Sequence, residues 1–147
     1  MISVLLVDDH AIFLETLRFL LTKASDVQVV ATALNGEEAI IQAQLYCPDV
    51  VVMDISMPVM DGIEATKQTY VHCPSTRVLV LSIYDNQEYV QRALQVGALG
   101  YVLKDMVGSD LLAAIRALYA GNQYFSEKIA GIAQQYGRQR GNESLPS

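Results

Sequence analysis

Hydrophobic residues along the chain fall into five short runs separated by longer amphipathic segments. The runs are rich in Val, Leu and Ile and span residues 2–7, 27–33, 49–54, 77–82 and 99–104. Several of them show no alternation of apolar and polar residues, which is typical of strands that are covered on both faces in a parallel sheet. The pattern therefore predicts five buried parallel strands.

The segments between the runs carry apolar residues at helical spacing. The stripe predicted for the first helix consists of Ile12, Phe13, Leu17, Leu20 and Leu21. The stripe predicted for the last helix of the repeat consists of Leu111, Leu112, Ile115, Leu118 and Tyr119. Strands that alternate with helices predict an α/β fold, a doubly wound (βα)5 parallel sheet. Right-handed crossovers then place the carboxyl ends of all strands at one edge, where such folds bind ligands.

Three predicted helices begin with a capping-box pattern, in which Asn or Asp is followed three residues later by Glu. The pairs are Asn35 with Glu38, Asp61 with Glu64, and Asp85 with Glu88. After Gly121 the repeat stops, and Ser126 is a candidate N-cap for a further helix over residues 127–136. The polar end of the chain is typical of a linker. We therefore expect one domain over residues 1–120, followed by a linker helix and flexible tail over residues 121–147.

Composition excludes several classes of function. The 147 residues include 16 acidic and 10 basic ones, for a net charge of −6, which argues against direct binding to a nucleic-acid backbone. No apolar run reaches the ~20 residues that span a bilayer, and the N-terminus lacks a basic leader region. A cytoplasmic protein without membrane contact is expected. Cys47 and Cys73 each precede a proline, and a structural disulfide is not expected in that compartment.

Charged and polar residues gather where the predicted strands end. Asp8 and Asp9 follow the first run, and Asp54 ends the third. Two carboxylates ~4 Å apart repel by about 4 kcal/mol at an effective dielectric constant near 20, so three together call for a cation. The expected ligands are all oxygens with no His or Cys at hand, which favours Mg²⁺ over zinc. Mg²⁺ often completes its shell with phosphate. Ser82 and Lys104 end the fourth and fifth runs and could hold phosphoryl oxygens.

One neighbouring residue has a simpler interpretation. His10 could carry a phosphoryl group, but its position favours the start of the first helix. The acidic cluster itself leads to a further expectation. Without a metal ion, the pKa of at least one of the carboxyl groups should be raised.

Four segments together resemble the receiver domain of bacterial two-component response regulators over residues 1 to about 120. They are LLVDDH (5–10), VVMDISMPVMDG (51–62), VLVLS (78–82) and GALGYVLK (97–104). The resemblance implies a flavodoxin-like sheet with strand order 2-1-3-4-5. The DDH triplet, the KD that follows strand 5, and residues 109–126 are similar to the NarL/FixJ subfamily. Members of that subfamily usually end in a LuxR-type helix-turn-helix domain, which is absent from this chain.

The resemblance assigns roles to the residues at the strand ends. Asp54 would accept a phosphoryl group from a phosphohistidine on a sensor kinase. Asp9 and Asp54 would bind Mg²⁺ directly, with Asp8 acting through water or neighbouring contacts and the backbone carbonyl of Ser56 as a further ligand. A regulatory phosphoacceptor is thus expected rather than an enzyme, with at most self-phosphorylation from small donors and autodephosphorylation.

The resemblance also implies a conformational switch. Lys104 and Ser82 would hold the phosphoryl oxygens, and Ser82 would move inward so that Tyr101 can swing into the space it leaves. The face formed by helix 4, strand 5 and helix 5 would be remodelled to control an output, a LuxR-type transcription factor. The phosphorylated domain is expected to form a homodimer, with DNA bound only through the missing output domain.

Two alternatives remain open at this stage. A receiver fold could act as an interaction domain without phosphate. A Mg²⁺-dependent phosphohydrolase of the haloacid dehalogenase type also uses an aspartate nucleophile, but it places a DxD pair after strand 1. Here adjacent aspartates follow strand 1, and the candidate nucleophile follows strand 3.

Overall fold

The structure is a computed structural model that describes residues 1–57 and 60–144. Within these ranges the strands are Ile2–Val7 (β1), Val27–Ala33 (β2), Val50–Asp54 (β3), Arg77–Ser82 (β4), Gly100–Leu103 (β5) and Tyr124–Phe125 (β6). The helices are Ala11–Thr22 (α1), Gly36–Tyr46 (α2), Gly62–His72 (α3), Gln87–Gln95 (α4), Val107–Tyr119 (α5) and Glu127–Ser144 (α6). A short 3₁₀ turn, Lys104–Met106, leads from β5 into α5.

The strands form one parallel sheet in the order β2-β1-β3-β4-β5-β6. This confirms the α/β fold and the expected order 2-1-3-4-5. It adds a strand at the edge, because β6 pairs in parallel with β5 through Gly100–Tyr124 and Tyr101–Phe125. The two residues of β6 are too short to give a periodic signal in the sequence.

Helices cover both faces of the sheet, which explains why the strands lack alternation. On one face α1 and α5 pack against the sheet around Leu6, Leu17 and Ile115. On the other face α2, α3, α4 and α6 pack around Met53 and Tyr101. Every residue of β3 is buried, so its last residue, Asp54, ends inside the protein.

The predicted helix faces are partly wrong. The buried residues of α1 are Leu14, Leu17 and Leu21, whereas Ile12 is 85% exposed. Ile12 and Leu14 are two positions apart, which places them about 200° apart around the helix. Tyr119 at the end of α5 is exposed for the same reason of helical phase.

Two of the three predicted caps are confirmed. Asn35 accepts a hydrogen bond from the backbone N–H of Glu38 at 2.9 Å, and Asp61 accepts one from that of Glu64 at 2.9 Å. The third is wrong, because α4 begins after Asn86 rather than Asp85 and has no side-chain cap.

The last helix follows Ser126, where the sequence predicts its start, but it continues to Ser144 rather than ending at residue 136. It packs against α4 and β6, and Ile129 in its first turn is fully buried. The last residues of the expected tail, 145–147, lie outside the described part of the chain, as do Pro58 and Val59 of the motif at residues 51–62. Within the described ranges, every helix is too short or too polar to cross a lipid bilayer.

Candidate functional site

The ends of β1, β3 and β5 bring three of the predicted site residues into direct contact. The Nζ atom of Lys104 lies 2.8 Å from Asp8 Oδ2 and 3.3 Å from Asp54 Oδ1. Both carboxylates are buried, with exposures of 0% for Asp8 and 2% for Asp54. Lys104 belongs to the 3₁₀ turn just after β5, one residue beyond the end of the strand.

The backbone after Asp54 is held in place by a close approach of α3. The N–H of Gly62, the first residue of α3, donates a hydrogen bond to the carbonyl of Ile55 at 2.8 Å. A Cβ atom on Gly62 would lie 2.1 Å from the carbonyl oxygen of Asp54, a distance that no side chain can occupy. Position 62 therefore requires glycine, because any side chain there would clash with the backbone of Asp54.

The acidic cluster contains Asp8, Asp9, Asp54 and His10, each of which offers one ligand atom within 4.8 Å of the others. Among the described residues, two buried side-chain oxygens make no hydrogen bond, namely Asp9 Oδ1 and Asp54 Oδ2. Buried carboxylate oxygens without partners are costly. His10 belongs to this cluster, so the expectation that no histidine is at hand is wrong. The two carboxylate oxygens without partners fit a hard divalent cation such as Mg²⁺.

Burial and repulsion act together on Asp54. Burial, followed by the nearby charge of Asp8, raises the pKa of Asp54 to about 6 against the opposing effects of Lys104 and the Ser56 N–H. This confirms the expectation that one carboxyl pKa is raised without a metal, although burial is the larger cause. Burial alone would lower the pKa of Lys104, but its ion pairs with Asp8 and Asp54 outweigh that effect and raise it.

His10 and Phe13 contact the cluster in ways that sequence reasoning missed. His10 does precede α1, and its backbone N–H donates to Asp8 Oδ1 at 2.8 Å. Its exposed ring places Nδ1 3.1 Å from Asp8 Oδ1 and 3.0 Å from Asp9 Oδ1, the second without hydrogen-bond geometry. The Phe13 ring centroid lies 4.8 Å from Lys104 Nζ, a cation–π contact. The signal available in the sequence was their position, within one helical turn of the two aspartates.

Ser82 and Tyr101 are linked through the backbone of Tyr84. The Ser82 hydroxyl oxygen accepts a hydrogen bond from the Tyr84 N–H at 2.9 Å. The Tyr101 hydroxyl donates to the Tyr84 carbonyl at 2.7 Å. Tyr101 is fully buried, so in this structure it already lies inside the protein. Burial raises its pKa to about 12, which keeps the hydroxyl protonated and able to donate.

An open cleft of about 430 Å³ borders the acidic cluster. Asp9, Ser56 and Met57 line one side of it, and Tyr89 and Arg92 of α4 line the other. The Ser56 N–H donates to Asp54 Oδ1 at 3.3 Å, which orients the carboxylate. The cleft thus reaches the acidic cluster at Asp9.

Comparison with known proteins gives a consistent result. Residues 4–116 match the family described as the response regulator receiver domain. The chain is 37% identical over 138 residues to the transcriptional regulatory protein DegU of Brevibacillus brevis. The match covers 93% of this chain but only 58% of DegU, so the chain spans less than two thirds of that relative.

Solved structures agree with the sequence matches. A LuxR-family two-component response regulator from Aurantimonas sp. SI85-9A1 has a TM-score of 0.87 and 34% identity, covering 92% of this chain and 97% of that one. The signal receiver domain of NarL from Mycobacterium tuberculosis has a TM-score of 0.79 and 33% identity, covering 82% and 98%. These matches favour the receiver interpretation over the phosphohydrolase alternative.

Proposed function

This chain belongs to the response regulator receiver family, in its NarL/FixJ branch, and from that premise we propose that Asp54 accepts a phosphoryl group in a Mg²⁺-dependent reaction. The donor is the phosphohistidine of a sensor kinase. The observation that carries this proposal is the state of the Asp54 carboxylate. Its Oδ1 is held by Lys104 and the Ser56 N–H, while its buried Oδ2 has no hydrogen-bond partner within the described residues.

In the proposed reaction, a carboxylate oxygen of Asp54 attacks the phosphorus atom, and the bond from phosphorus to the donor nitrogen breaks. Positioning and charge neutralisation supply most of the catalysis in such transfers. Asp9, Asp54 and the Ser56 carbonyl would hold Mg²⁺, with Asp8 acting through water. When bound, Mg²⁺ would neutralise the carboxylates and stabilise charge on the phosphoryl oxygens.

Lys104 and Ser82 would hold the transferred group. Lys104 is already paired with Asp54 at 3.3 Å, so a phosphoryl group on that residue would meet an ammonium that needs little movement. Ser82 is buried at the end of β4, the strand that neighbours β3, and its hydroxyl would donate to a phosphoryl oxygen. The ring of Phe13 keeps Lys104 at the site from the other side.

A path of contacts connects this site to α6 and would carry the signal. If the Ser82 hydroxyl turns toward a phosphoryl oxygen, its bond with the Tyr84 N–H changes, and Tyr84 holds the Tyr101 hydroxyl. The carbonyl of Tyr101 accepts a hydrogen bond from the N–H of Ser126, at the start of α6. The phosphoryl group would thus bias how α4, β5 and α6 pack, a local charge acting on an element with two arrangements.

The same reasoning extends to the whole protein. Residues 1–120 form the receiver and residues 121–147 the linker to a LuxR-type output domain, which would bind DNA on behalf of a cytoplasmic homodimer. DegU is a transcriptional regulatory protein, which supports this assignment. The receiver acts as a phosphoacceptor rather than as a catalyst of turnover, apart from self-phosphorylation from small donors and autodephosphorylation.

The test is intact mass after incubation with acetyl phosphate and Mg²⁺. One added phosphoryl group is expected, absent with a chelator and absent in Asp54→Asn. Asp105→Asn is the matched control, because Asp105 is exposed and adjoins Lys104 without belonging to the acidic cluster. A folded, Mg²⁺-binding protein that gains no phosphoryl group would refute the proposal.

One observation favours a second candidate, a receiver that signals without phosphate. Tyr101 already lies inside, bonded to Tyr84, as the switch would require after phosphorylation. In that case the mass experiment would show no adduct, and beryllofluoride, a phosphoryl mimic, would leave dimerisation unchanged.

A further inference from the structure

Two cysteines meet at the edge of the sheet opposite to the acidic cluster. Cys47 follows α2 and precedes β3, and Cys73 follows α3 and precedes β4. Their sulfur atoms are 3.2 Å apart, and both thiols are free. We propose that Cys47 and Cys73 are a redox modification site at which a peroxide converts the two thiols into a reversible disulfide between α2 and α3. This proposal goes beyond the phosphoacceptor function and does not depend on it.

The two sulfurs are held together by matching helix ends. The backbone N–H of Cys47 donates to Ala43 and that of Cys73 donates to Thr69, which closes the last turn of each helix. A proline follows each cysteine, and a residue before proline avoids helical conformation. The helices therefore stop at the cysteines, and a disulfide bond of about 2.05 Å requires the sulfurs to approach by only ~1 Å.

Cysteine is an unusual choice at position 47. The residue lies at the C-terminal end of α2 in the left-handed conformation, with φ of 39°. Glycine or asparagine is usual at such positions, because a side chain there is strained. At this strained position the Cys47 sulfur lies 3.2 Å from the Cys73 sulfur.

The surroundings exclude a metal site as the simpler explanation. Three or more His, Cys, Asp or Glu ligand atoms converge, among the described residues, at the acidic cluster and nowhere else. Two thiols alone are too few for structural zinc, which takes four ligands. The Cys73 thiol instead donates to the carbonyl of Ala43 at 3.3 Å.

The difference in exposure sets the order of events. Cys47 is exposed and Cys73 is buried, so a peroxide reaches Cys47 first. The Cys47 sulfur attacks a peroxide oxygen, an S–O bond forms, the O–O bond breaks, and water leaves with the thiol proton. The Cys73 sulfur then attacks the sulfur of this sulfenic acid, an S–S bond forms, and the S–O bond breaks. The departing hydroxide takes the Cys73 proton, so two thiols are oxidised and one peroxide becomes two waters.

The second step should be the slower one. Burial, together with the neighbouring Cys47, raises the pKa of Cys73 to about 11. A small fraction of Cys73 is thiolate at neutral pH, so disulfide formation should accelerate as pH rises. The short distance between the sulfurs offsets part of this low thiolate fraction, because the Cys73 sulfur already lies 3.2 Å from the sulfur that it attacks.

The experiment treats the full chain with hydrogen peroxide and follows intact mass and cysteine alkylation. The expected product has lost two hydrogens, resists alkylation at both cysteines, and gives one cross-linked peptide pair. Its Tm should rise by roughly 10 °C, because a bridge that closes the loop between Cys47 and Cys73 restricts the unfolded chain. Dithiothreitol should reverse every change.

Two variants separate the roles. In Cys73→Ser, Cys47 should persist as a sulfenic acid that dimedone traps, whereas in the unsubstituted chain the trapped fraction should rise and then disappear as the disulfide forms. In Cys47→Ser, which changes an exposed residue and should fold, Cys73 should remain a thiol and stay open to alkylation after denaturation. A chain that gains oxygen on Cys47 while Cys73 stays reduced, or that forms only intermolecular bridges, would overturn the proposal.

Discussion

Replacing Asp54 by asparagine should stabilise the metal-free protein at neutral pH. The carboxylate is 2% exposed, and burial together with Asp8 raises its pKa from 3.8 to about 6. At neutral pH the group is ionised in both the folded and the unfolded states, so the folded state carries the cost of the buried charge. That rise in pKa corresponds to roughly 3 kcal/mol, which asparagine, shaped like the neutral acid, would remove.

The pH dependence gives this prediction its sign. Below pH 3.8 the carboxyl group is protonated in both states, so asparagine and aspartate should give similar free energies of unfolding. Between pH 4 and 6 the unfolded chain loses the proton first, and the advantage of Asp54→Asn should grow. Above pH 6 to 7 the advantage should level off at about 3 kcal/mol.

The assay is urea unfolding in the presence of a chelator at several pH values, for the unsubstituted chain, Asp54→Asn and Asp105→Asn. Subtracting the unsubstituted chain removes the titration of all other groups. The exposed control should give a difference near zero at every pH. A difference for Asp54→Asn that does not change with pH, or an asparagine variant that is less stable at pH 7, would refute the reasoning.

Three further predictions concern the metal, the loop after Asp54, and α6. Millimolar Mg²⁺ should raise the Tm by several degrees, since a ligand at 100 times its Kd adds about 2.7 kcal/mol; no shift by calorimetry would count against the site. Gly62→Ala should lower the free energy of unfolding by about 1–3 kcal/mol and slow phosphorylation by acetyl phosphate, whereas Gly108→Ala, which meets no atom within 4 Å, should do neither. Ile129→Ala should speed hydrogen exchange in α4 and α6 while β1 and β3 stay protected, because truncation removes about 2–5 kcal/mol of packing; uniform destabilisation would show that α6 does not respond as a separate unit.

Much of the fold could be predicted because strands that are buried on both faces consist of short apolar runs, which are easy to recognise in a sequence. The strands at residues 2–7, 27–33 and 77–82 match the structure residue for residue, since each apolar run ends where the chain leaves the sheet. The cluster of Asp8, Asp54 and Lys104 was equally accessible, because the ends of parallel strands share one edge. Topology alone therefore brings these residues together.

The features that could not be predicted from the sequence depend on tertiary geometry. The pairing of β6 depends on where α5 returns the chain to the sheet. A strand of two residues is too short to show a periodic pattern in the sequence. The exposure of Ile12 follows from a helical phase that the apolar residues of α1 leave open. The contact between Lys104 and the Phe13 ring joins residues far apart in sequence, and the meeting of Cys47 with Cys73 depends on how α2 and α3 end.

The claim that Asp54 is the phosphoacceptor is tested most directly by locating the phosphoryl group. After treatment with acetyl phosphate and Mg²⁺, borohydride reduces an aspartyl phosphate to homoserine, which peptide mass spectrometry can place in the sequence. We predict homoserine at position 54 alone, and none when the metal is chelated. Homoserine at Asp8 or Asp9, or a phosphoryl group found on His10, would contradict the account.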